Sequence, residues 1–239
     1  MPKPQQYIKG YAEFYKLRFK ATPDVLIPRP ETELLVDEVL SHINVIVKMN
    51  EATTKQSITV LDVGTGAGNI AISIARNLPL NSQVQIIATD ISEKALTIAR
   101  QNAMLHGVAD GIVFLKSDLL KNPALHSYIL NTKYSILVTN LPYIPSYRIP
   151  YLDSSVKDFE PLIALDGGGD GFDLYRKLFR QITDFSLPPR GWKPKLIVGE
   201  IDYTQAEIAI KEADKYFPEA RAEVKLDLAH RQRILSIRR

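Results

Sequence analysis

The segment ITVLDVGTGAGNIAISIARNL, residues 58–78, decides the fold class. Apart from Asp62, its first six residues are a run of apolar and β-branched side chains, which is typical of a strand buried on both faces. Three glycines, Gly64, Gly66 and Gly68, then separate this strand from the helical pattern of residues 69–78. Strand, glycine turn and helix in this order predict a β–α unit whose helix N-terminus faces a ligand.

Strand-like and helical segments alternate along the rest of the chain. Buried strands separated by helices predict an α/β fold with a doubly wound, mostly parallel sheet of the Rossmann-like type. The last two segments, residues 220–228 and 231–239, are predicted to be an antiparallel strand pair that closes the sheet. The other predicted elements are strands at 84–90, 112–118, 135–140 and 194–200, and a helix at 92–107 that Ser92 caps and Gly107 ends.

The front of the chain has a different pattern. Apolar and basic residues alternate from Tyr15 to Lys20, which predicts a small β-hairpin with one solvated face. A helical pattern begins behind Pro30 and two acidic residues. We therefore expect an N-terminal hairpin segment, residues 1–28, followed by one main domain, residues 29–239.

Composition limits the function classes. The 239 residues are 45% apolar and 24% charged, as in a globular protein, and the net charge of +3 is too small to indicate nucleic-acid binding by itself. The absence of cysteine excludes disulfides, thiolate nucleophiles and cysteine-ligated zinc, and four scattered histidines give no metal-ligand spacing. No stretch approaches the ~20 apolar residues of a membrane span. We expect a cytoplasmic protein without a metal, and a surface loop at residues 50–57.

The predicted strand ends carry the polar residues of a binding site. A dinucleotide fingerprint requires GxGxxG, but Asn69 occupies the sixth position and the pattern is GxGxG. Asp90 ends the second strand, where a carboxylate can accept both hydroxyls of a ribose, and Asp118 ends the third, where it can accept an adenine amino group. The expected ligand is an adenosine without a pyrophosphate, namely S-adenosylmethionine.

A rigid corner follows the fourth strand. In VTNLPYIPS, residues 138–146, the Asn140 side chain and the carbonyl of Leu141, held by Pro142, offer two acceptors for a planar amino group. Tyr143 can cover that group by stacking. Holding the two hydrogens would aim the nitrogen lone pair at a methyl donor, so catalysis would consist mainly of positioning and would need no histidine base.

Six stretches together resemble one protein family. They are IPRPETELLV, LDVGTGAGNIAISIA, NLPYIP, FEPLIALDGGGDGFDLYRKL, VGEIDYTQAEIA and VKLDLAHRQRILSI, and the match as a whole runs from about Tyr7 to the last residues. They are similar to the HemK/PrmC family, the protein-(glutamine-N5) methyltransferases. The resemblance implies methyl transfer from S-adenosylmethionine, with S-adenosylhomocysteine as product, to the glutamine of the Gly-Gly-Gln motif in class I peptide chain release factors, which would be the partners.

The resemblance also implies residue roles. It assigns the ribose to Asp90 and the adenine to Asp118 with Leu119. Arg29 and Thr32 would border the same cofactor pocket. The methionine part of the cofactor would lie on Gly64, Thr65, Gly66, Ala67 and Gly68, and the substrate amide on Asn140, Leu141, Pro142 and Tyr143, with Asn140 also near the cofactor.

The chain departs from the family pattern at three points. Leu141 replaces the first proline of the usual Asn-Pro-Pro-Tyr, although a leucine supplies the same backbone carbonyl. Ser135 stands five residues before Asn140, where the family usually has aspartate. We also expect that the family's usual N-terminal helical domain is absent, which would affect affinity for the partner more than the chemistry.

Two other functions fit parts of the same pattern. One is an N-methyltransferase for an adenine or guanine amino group in RNA or DNA, which would need a basic, aromatic-lined surface for the strand. The small net charge argues weakly against it. The other is a methyltransferase fold that binds cofactor without catalysis. Leu141 is the only residue that favours this second alternative.

Overall fold

The computed structural model describes residues 3–50, 57–79, 82–129, 132, 134–184 and 192–239. Most of the surface loop predicted at residues 50–57 lies outside these ranges. Nine strands form two sheets within them. The strands are β1 (Tyr11–Phe14), β2 (Leu17–Lys20), β3 (Ile58–Val63), β4 (Val84–Asp90), β5 (Ile112–Lys116), β6 (Tyr134–Thr139), β7 (Leu196–Glu200), β8 (Arg221–Leu226) and β9 (Gln232–Arg238).

Eight α-helices connect or flank these strands in the described ranges. Short 3₁₀ turns at Pro30–Thr32, Ala109–Gly111, Ser146–Tyr151 and Leu162–Ala164 complete the regular structure. The helices are α1 (Gln5–Lys9), α2 (Glu33–Asn50), α3 (Asn69–Arg76), α4 (Glu93–Leu105), α5 (Pro123–Ile129), α6 (Ser154–Lys157), α7 (Asp173–Thr183) and α8 (Ala206–Tyr216).

The main sheet has seven strands in the order β5-β4-β3-β6-β7-β9-β8. Strands β3 to β7 are parallel, and β9 pairs antiparallel with both β7 and β8. The predicted fold class is therefore confirmed, including the N-terminal hairpin and the antiparallel C-terminal pair. Strand order reverses between β3 and β6, which is where open α/β sheets bind their ligands.

Alternate strand residues face two separate cores. On one side Val60 and Ile86 pack with α2, α3 and the hairpin residues Phe14 and Phe19. On the other side Leu61 and its neighbours pack with α5, α7 and α8. Burial on both faces explains why the central strands are continuous apolar runs. Because Phe14 and Phe19 are fully buried, the hairpin belongs to the main core.

Element boundaries differ from the predicted ones by a few residues. Tyr15 lies in the hairpin turn with a φ of 50°, and not in a strand as its alternation suggested. Ser92 caps α4 as predicted, since its hydroxyl accepts a hydrogen bond from the Ala95 amide at 3.2 Å. Strand β5 ends at Lys116, so Asp118 lies in the turn that follows. In the described part of the chain, no helix is both long enough and apolar enough to cross a membrane.

Candidate active site

A cavity of about 220 Å³ opens at the carboxyl ends of the parallel strands. Four of its lining segments follow consecutive strand ends, namely residues 63–67 after β3, 90–92 after β4, 117–119 after β5 and 140–142 after β6. Parallel strands end at the same edge of the sheet, and this brings residues far apart in sequence into one site. Arg29 and Thr32 also line the cavity.

The glycine turn presents bare backbone to this cavity at Gly64 and Gly66, whereas Gly68, also assigned to the cofactor from the sequence, lies outside the lining. Gly64, Gly66 and Gly68 have φ values of +76°, +55° and +83°, a region that side chains with a Cβ disfavour. A Cβ on Gly68 would lie 2.9 Å from Ile72 Cδ1, so this position also lacks space. Thr65 and Ala67, also assigned to the cofactor from the sequence, line the cavity between the glycines.

The carboxylate of Asp90 is held at the cavity by two backbone amides. Its Oδ2 accepts a hydrogen bond from Gly66 N at 2.9 Å, and its Oδ1 accepts one from Ser92 N at 2.8 Å. Burial raises the pKa of Asp90, and these amide hydrogen bonds oppose the increase. Asp90 therefore links the glycine turn to the start of α4, and each oxygen retains a lone pair for a ligand.

Asp118 already carries cationic partners. The ammonium group of Lys177 lies 2.8 and 2.9 Å from its two carboxylate oxygens, and that of Lys121 lies 2.9 Å from Oδ2. Burial alone would raise the pKa of Asp118, but the hydrogen bonds from both lysines bring it below its usual value. Leu119 follows at a φ of 55°, an unusual angle for a leucine, and also lines the cavity.

The Asn140 side chain has a fixed orientation. Its Nδ2 donates hydrogen bonds of 3.1 Å to Thr32 Oγ1 and to Glu200 Oε2. The Thr32 hydroxyl donates its one hydrogen to the same carboxylate oxygen at 2.6 Å, so its oxygen must act as the acceptor for Asn140. The amide oxygen of Asn140 accepts no hydrogen bond from the described residues, and the residue lines the cavity.

Leu141 and Pro142 complete the cavity side of the corner. The Leu141 side chain is buried and packs on the glycine turn, because a Cβ on Gly64 would lie 3.4 Å from its Cδ2. The leucine that replaces a family proline therefore fills space in the core. The carbonyl of Leu141 accepts no hydrogen bond from the described part of the chain. The Asn140 amide oxygen and the Leu141 carbonyl therefore both lack a donor among the described residues, and their use as acceptors for a substrate amide stays a prediction.

Tyr143 has a different position. Its hydroxyl donates a 2.9 Å hydrogen bond to Glu200 Oε1, and its carbonyl accepts one from Gln205 Nε2 at 2.9 Å. Burial and the neighbouring Glu200 carboxylate raise the pKa of this phenol well above its usual value. Tyr143 does not belong to the cavity lining, so stacking of its ring on a substrate amide stays a prediction.

Two buried glutamates support the site, and the sequence reasoning gave neither a role. Glu200, at the end of β7, is 1% exposed and accepts hydrogen bonds from Thr32, Asn140 and Tyr143. Its signal was an acid at the end of a buried strand, the same signal that identified Asp90. Glu160 pairs with the Arg29 guanidinium and accepts a 3.3 Å hydrogen bond from the Ile27 amide.

Comparisons with known proteins agree on the class of protein. Residues 54–148 match the sequence model of a methyltransferase domain. The catalytic domain of human METTL16 in complex with the MAT2A 3′UTR hairpin 6 has a similar fold, with a TM-score of 0.66 at 15% identity over 94% of this chain and 76% of that chain. The N-terminal domain of human METTL16 in complex with SAH has a TM-score of 0.58 at 13% identity. The match covers 94% of this chain and 76% of that chain. The fold is therefore that of a methyltransferase.

More similar relatives define the family. A release factor glutamine methyltransferase from Streptococcus pneumoniae is 34% identical over 235 residues, which cover 98% of this chain and 75% of the relative. The chain belongs to the release factor glutamine methyltransferase family, as its sequence motifs predicted. A member from Moorella thermoacetica is 42% identical over 175 residues, or 73% of this chain. The matched stretch spans 55%, 63% and 60% of the relatives from Moorella thermoacetica, Geobacter sulfurreducens and Thermodesulfovibrio yellowstonii.

Proposed function

We propose that this protein transfers a methyl group from S-adenosylmethionine to the side-chain amide nitrogen of the glutamine in the Gly-Gly-Gln motif of class I release factors. The observation that carries the proposal is the pair of acceptors at the corner. The Asn140 amide oxygen and the Leu141 carbonyl are both free of hydrogen bonds from the described residues, and both residues line the cavity. A primary amide has two N–H groups to donate to such a pair.

The other end of the cavity fits the cofactor. The bare backbone at Gly64 and Gly66 gives room for the methionine part, and the Asp90 carboxylate has lone pairs for two ribose hydroxyls. We place the adenine near Asp118 and Leu119, where Lys177 already occupies both oxygens of the acid. The adenine amino group would therefore share the Asp118 carboxylate with a cation.

The protein contributes orientation more than proton transfer. Bound S-adenosylmethionine would supply a methyl group on a positively charged sulfur. Its carbon–sulfur bond would break as the amide nitrogen bonds to that carbon, and S-adenosylhomocysteine would be the leaving group. An amide nitrogen is a poor nucleophile because its lone pair is delocalised into the carbonyl. Holding both N–H groups at Asn140 and Leu141 would fix the amide plane and the lone-pair direction, and such positioning can accelerate a reaction greatly. One N–H hydrogen leaves as a proton after the transfer.

The direct test is transfer of labelled methyl from S-adenosylmethionine to three separate acceptors: a purified class I release factor, ribosomal RNA and duplex DNA. We expect label on the release factor alone. Mass spectrometry of the tryptic peptide should place one methyl group on the Gly-Gly-Gln glutamine. Label on RNA or DNA with an untouched release factor would instead support a base methyltransferase, and cofactor binding without transfer to any acceptor would support a non-catalytic module.

A Gly-Gly-Glu release factor is the matched control substrate. A carboxylate has no N–H to donate, so both acceptors of the corner would remain unpaired, at a cost of ~1–3 kcal/mol each. We expect no methylated product on this variant. Methylation of the glutamate at a similar rate would show that the amide hydrogens are not what the site recognises.

A further inference from the structure

Glu200 is an unusual carboxylate. It is 1% exposed, and among the described residues it has no ion-pair contact within 4 Å. The charge of Arg233 acts on Glu200, but the Nη1 of Arg233 donates a hydrogen bond to the Ile201 carbonyl and its Nε lies 3.6 Å from Asp227. Burying a carboxylate without an ion pair is costly, and such groups are concentrated at functional sites.

Burial raises the pKa of Glu200, and the hydrogen bonds from Thr32 and Tyr143 oppose the increase. With the carboxylate ionised, the hydrogen atoms around it have one assignment. An ionised carboxylate only accepts, so the hydroxyls of Thr32 and Tyr143 both donate to it, at 2.6 and 2.9 Å. The Nδ2 of Asn140 then donates one hydrogen to Thr32 and the other to Glu200. A flipped Asn140 would place its oxygen 3.1 Å from a carboxylate oxygen, where two acceptors repel each other.

The same carboxylate also holds the far end of the corner. Its Oε2 binds Asn140, while its Oε1 binds the hydroxyl of Tyr143, three residues later. Its main-chain carbonyl accepts a hydrogen bond from the buried Tyr175 on α7, which fixes the end of β7. The backbone of Glu200 is therefore held by α7 and by the pairing of β7 with β9, while its side chain holds the corner.

We propose that Glu200 is a positioning residue that turns the Asn140 amide oxygen toward the cavity and so sets the direction from which the substrate amide is held. The inference rests on the proposed function. Glu200 itself lies outside the cavity lining and acts through Thr32, Asn140 and Tyr143. Its removal should therefore lower turnover without removing a contact to the cofactor.

The first test is a double-mutant cycle between Glu200→Ala and Asn140→Ala. We expect Glu200→Ala to lower kcat roughly 10- to 100-fold, with the dissociation constant for S-adenosylhomocysteine changed less than about threefold. In the Asn140→Ala background, Glu200→Ala should lower kcat less than about twofold, because the side chain that Glu200 positions is already absent. Equal losses in both backgrounds would show that Glu200 does not act through Asn140.

Two further variants separate positioning from stability. Glu200→Gln keeps an acceptor for Thr32 and Asn140 and should restore most of the lost turnover. Glu38→Ala is the matched control, because it removes a mostly buried carboxylate that pairs with Lys225 and Arg238 away from the cavity. It should lower stability and leave kcat unchanged. A kcat loss in Glu38→Ala as large as that in Glu200→Ala would overturn the proposal.

If Glu200→Ala does not fold, Thr32→Val replaces it in the double-mutant cycle of kcat with Asn140→Ala.

A measurement without turnover keeps this inference distinct from the proposed function. The two side-chain N–H signals of Asn140, assigned by their loss in Asn140→Ala, can be followed by ¹⁵N NMR. Because both are hydrogen bonded, their exchange with water should be slow in the unmodified protein and at least about tenfold faster in Glu200→Ala. Unchanged exchange would reject the role of Glu200 even if the release factor is methylated. Faster exchange in a protein that methylates nothing would reject only the proposed function.

Discussion

The backbone of Gly171 packs directly against the carbonyl of Tyr143, so closely that a methyl group on Gly171 would overlap that oxygen. The contact joins the glycine-rich segment 165–173 to the corner after β6. The segment also runs beside the corner, since Gly167 N donates to the Ile144 carbonyl at 2.9 Å. The glycines of this segment therefore support the shape of the corner from outside the cavity.

Gly171→Ala should distort that corner. Gly171 has a φ of +82°, and its Cβ would also lie 2.5 Å from Gln205 Nε2, the donor to the Tyr143 carbonyl. We expect a loss of at least about 2 kcal/mol in the free energy of unfolding, measured by urea titration, together with reduced methyl transfer. Gly169→Ala is the control, because a Cβ there meets nothing within 4 Å and φ is not positive. Similar stability losses in both variants would contradict the packing argument.

Substitutions of Asp90 test the assignment of the ribose. Asp90→Ala should weaken S-adenosylhomocysteine binding by ~1–3 kcal/mol in calorimetry, because two ribose hydroxyls lose their acceptor. Asp90→Asn should be no better, although it is nearly isosteric. Both carboxylate oxygens accept from backbone amides, Gly66 N and Ser92 N, so an NH₂ group in either place would face a donor. An Asp90→Asn variant that binds normally would place the ribose elsewhere.

Asn140→Ala separates chemistry from cofactor binding. The variant loses one of the two predicted amide acceptors but no part of the glycine turn. We expect cofactor affinity to stay within a few fold while methyl transfer falls roughly 100-fold or more. Single-turnover transfer to the release factor measures the second quantity. Normal transfer by this variant would exclude the positioning mechanism, whatever the fate of the cofactor.

Local pattern was enough to predict the fold. Apolar runs and helical periodicity placed the strands within a few residues, because strands buried on both faces leave a continuous signal. The same reasoning identified Asp90 and Asn140, because each lies at or just after the carboxyl end of a parallel strand. Because the carboxyl ends of parallel strands meet at one edge of the sheet, a residue predicted at a strand end can be placed in the site from its sequence position.

Partners from distant segments could not be predicted in the same way. Asp118 lies in a turn and pairs with Lys177, which lies on a helix 59 residues later. No periodic pattern in the sequence predicts this contact. Thr32 and Glu200 are 168 residues apart, yet their side chains share one hydrogen bond. The orientation of Asn140 depends on both. The sequence therefore predicts which residues line the cavity. It predicts less well how their side chains are oriented, because orientation depends on partners from distant segments.

Asp62 is a titratable group that the proposed chemistry does not use. It is fully buried on β3, where its Oδ2 accepts hydrogen bonds from the Thr65 hydroxyl at 2.6 Å and the Ala71 amide at 3.2 Å. Its Oδ1 has no hydrogen-bond partner among the described residues. Burial raises the pKa of Asp62 from 3.8 to about 7, because the charged form is poorly solvated there.

Stability should therefore decrease with rising pH because of this one group. Between pH 4 and 7 the unfolded chain has already released the Asp62 proton while the folded protein retains it, so each pH unit costs about 1.4 kcal/mol. Asp62→Asn keeps an acceptor and has no proton to release. Measured by urea unfolding without cofactor, the stability of this variant relative to the unmodified protein should rise by that amount per unit from pH 4 to about 7. Above that pH both states are ionised and the difference should become constant. A difference independent of pH over the whole range would mean that Asp62 ionises in the folded protein as readily as in water.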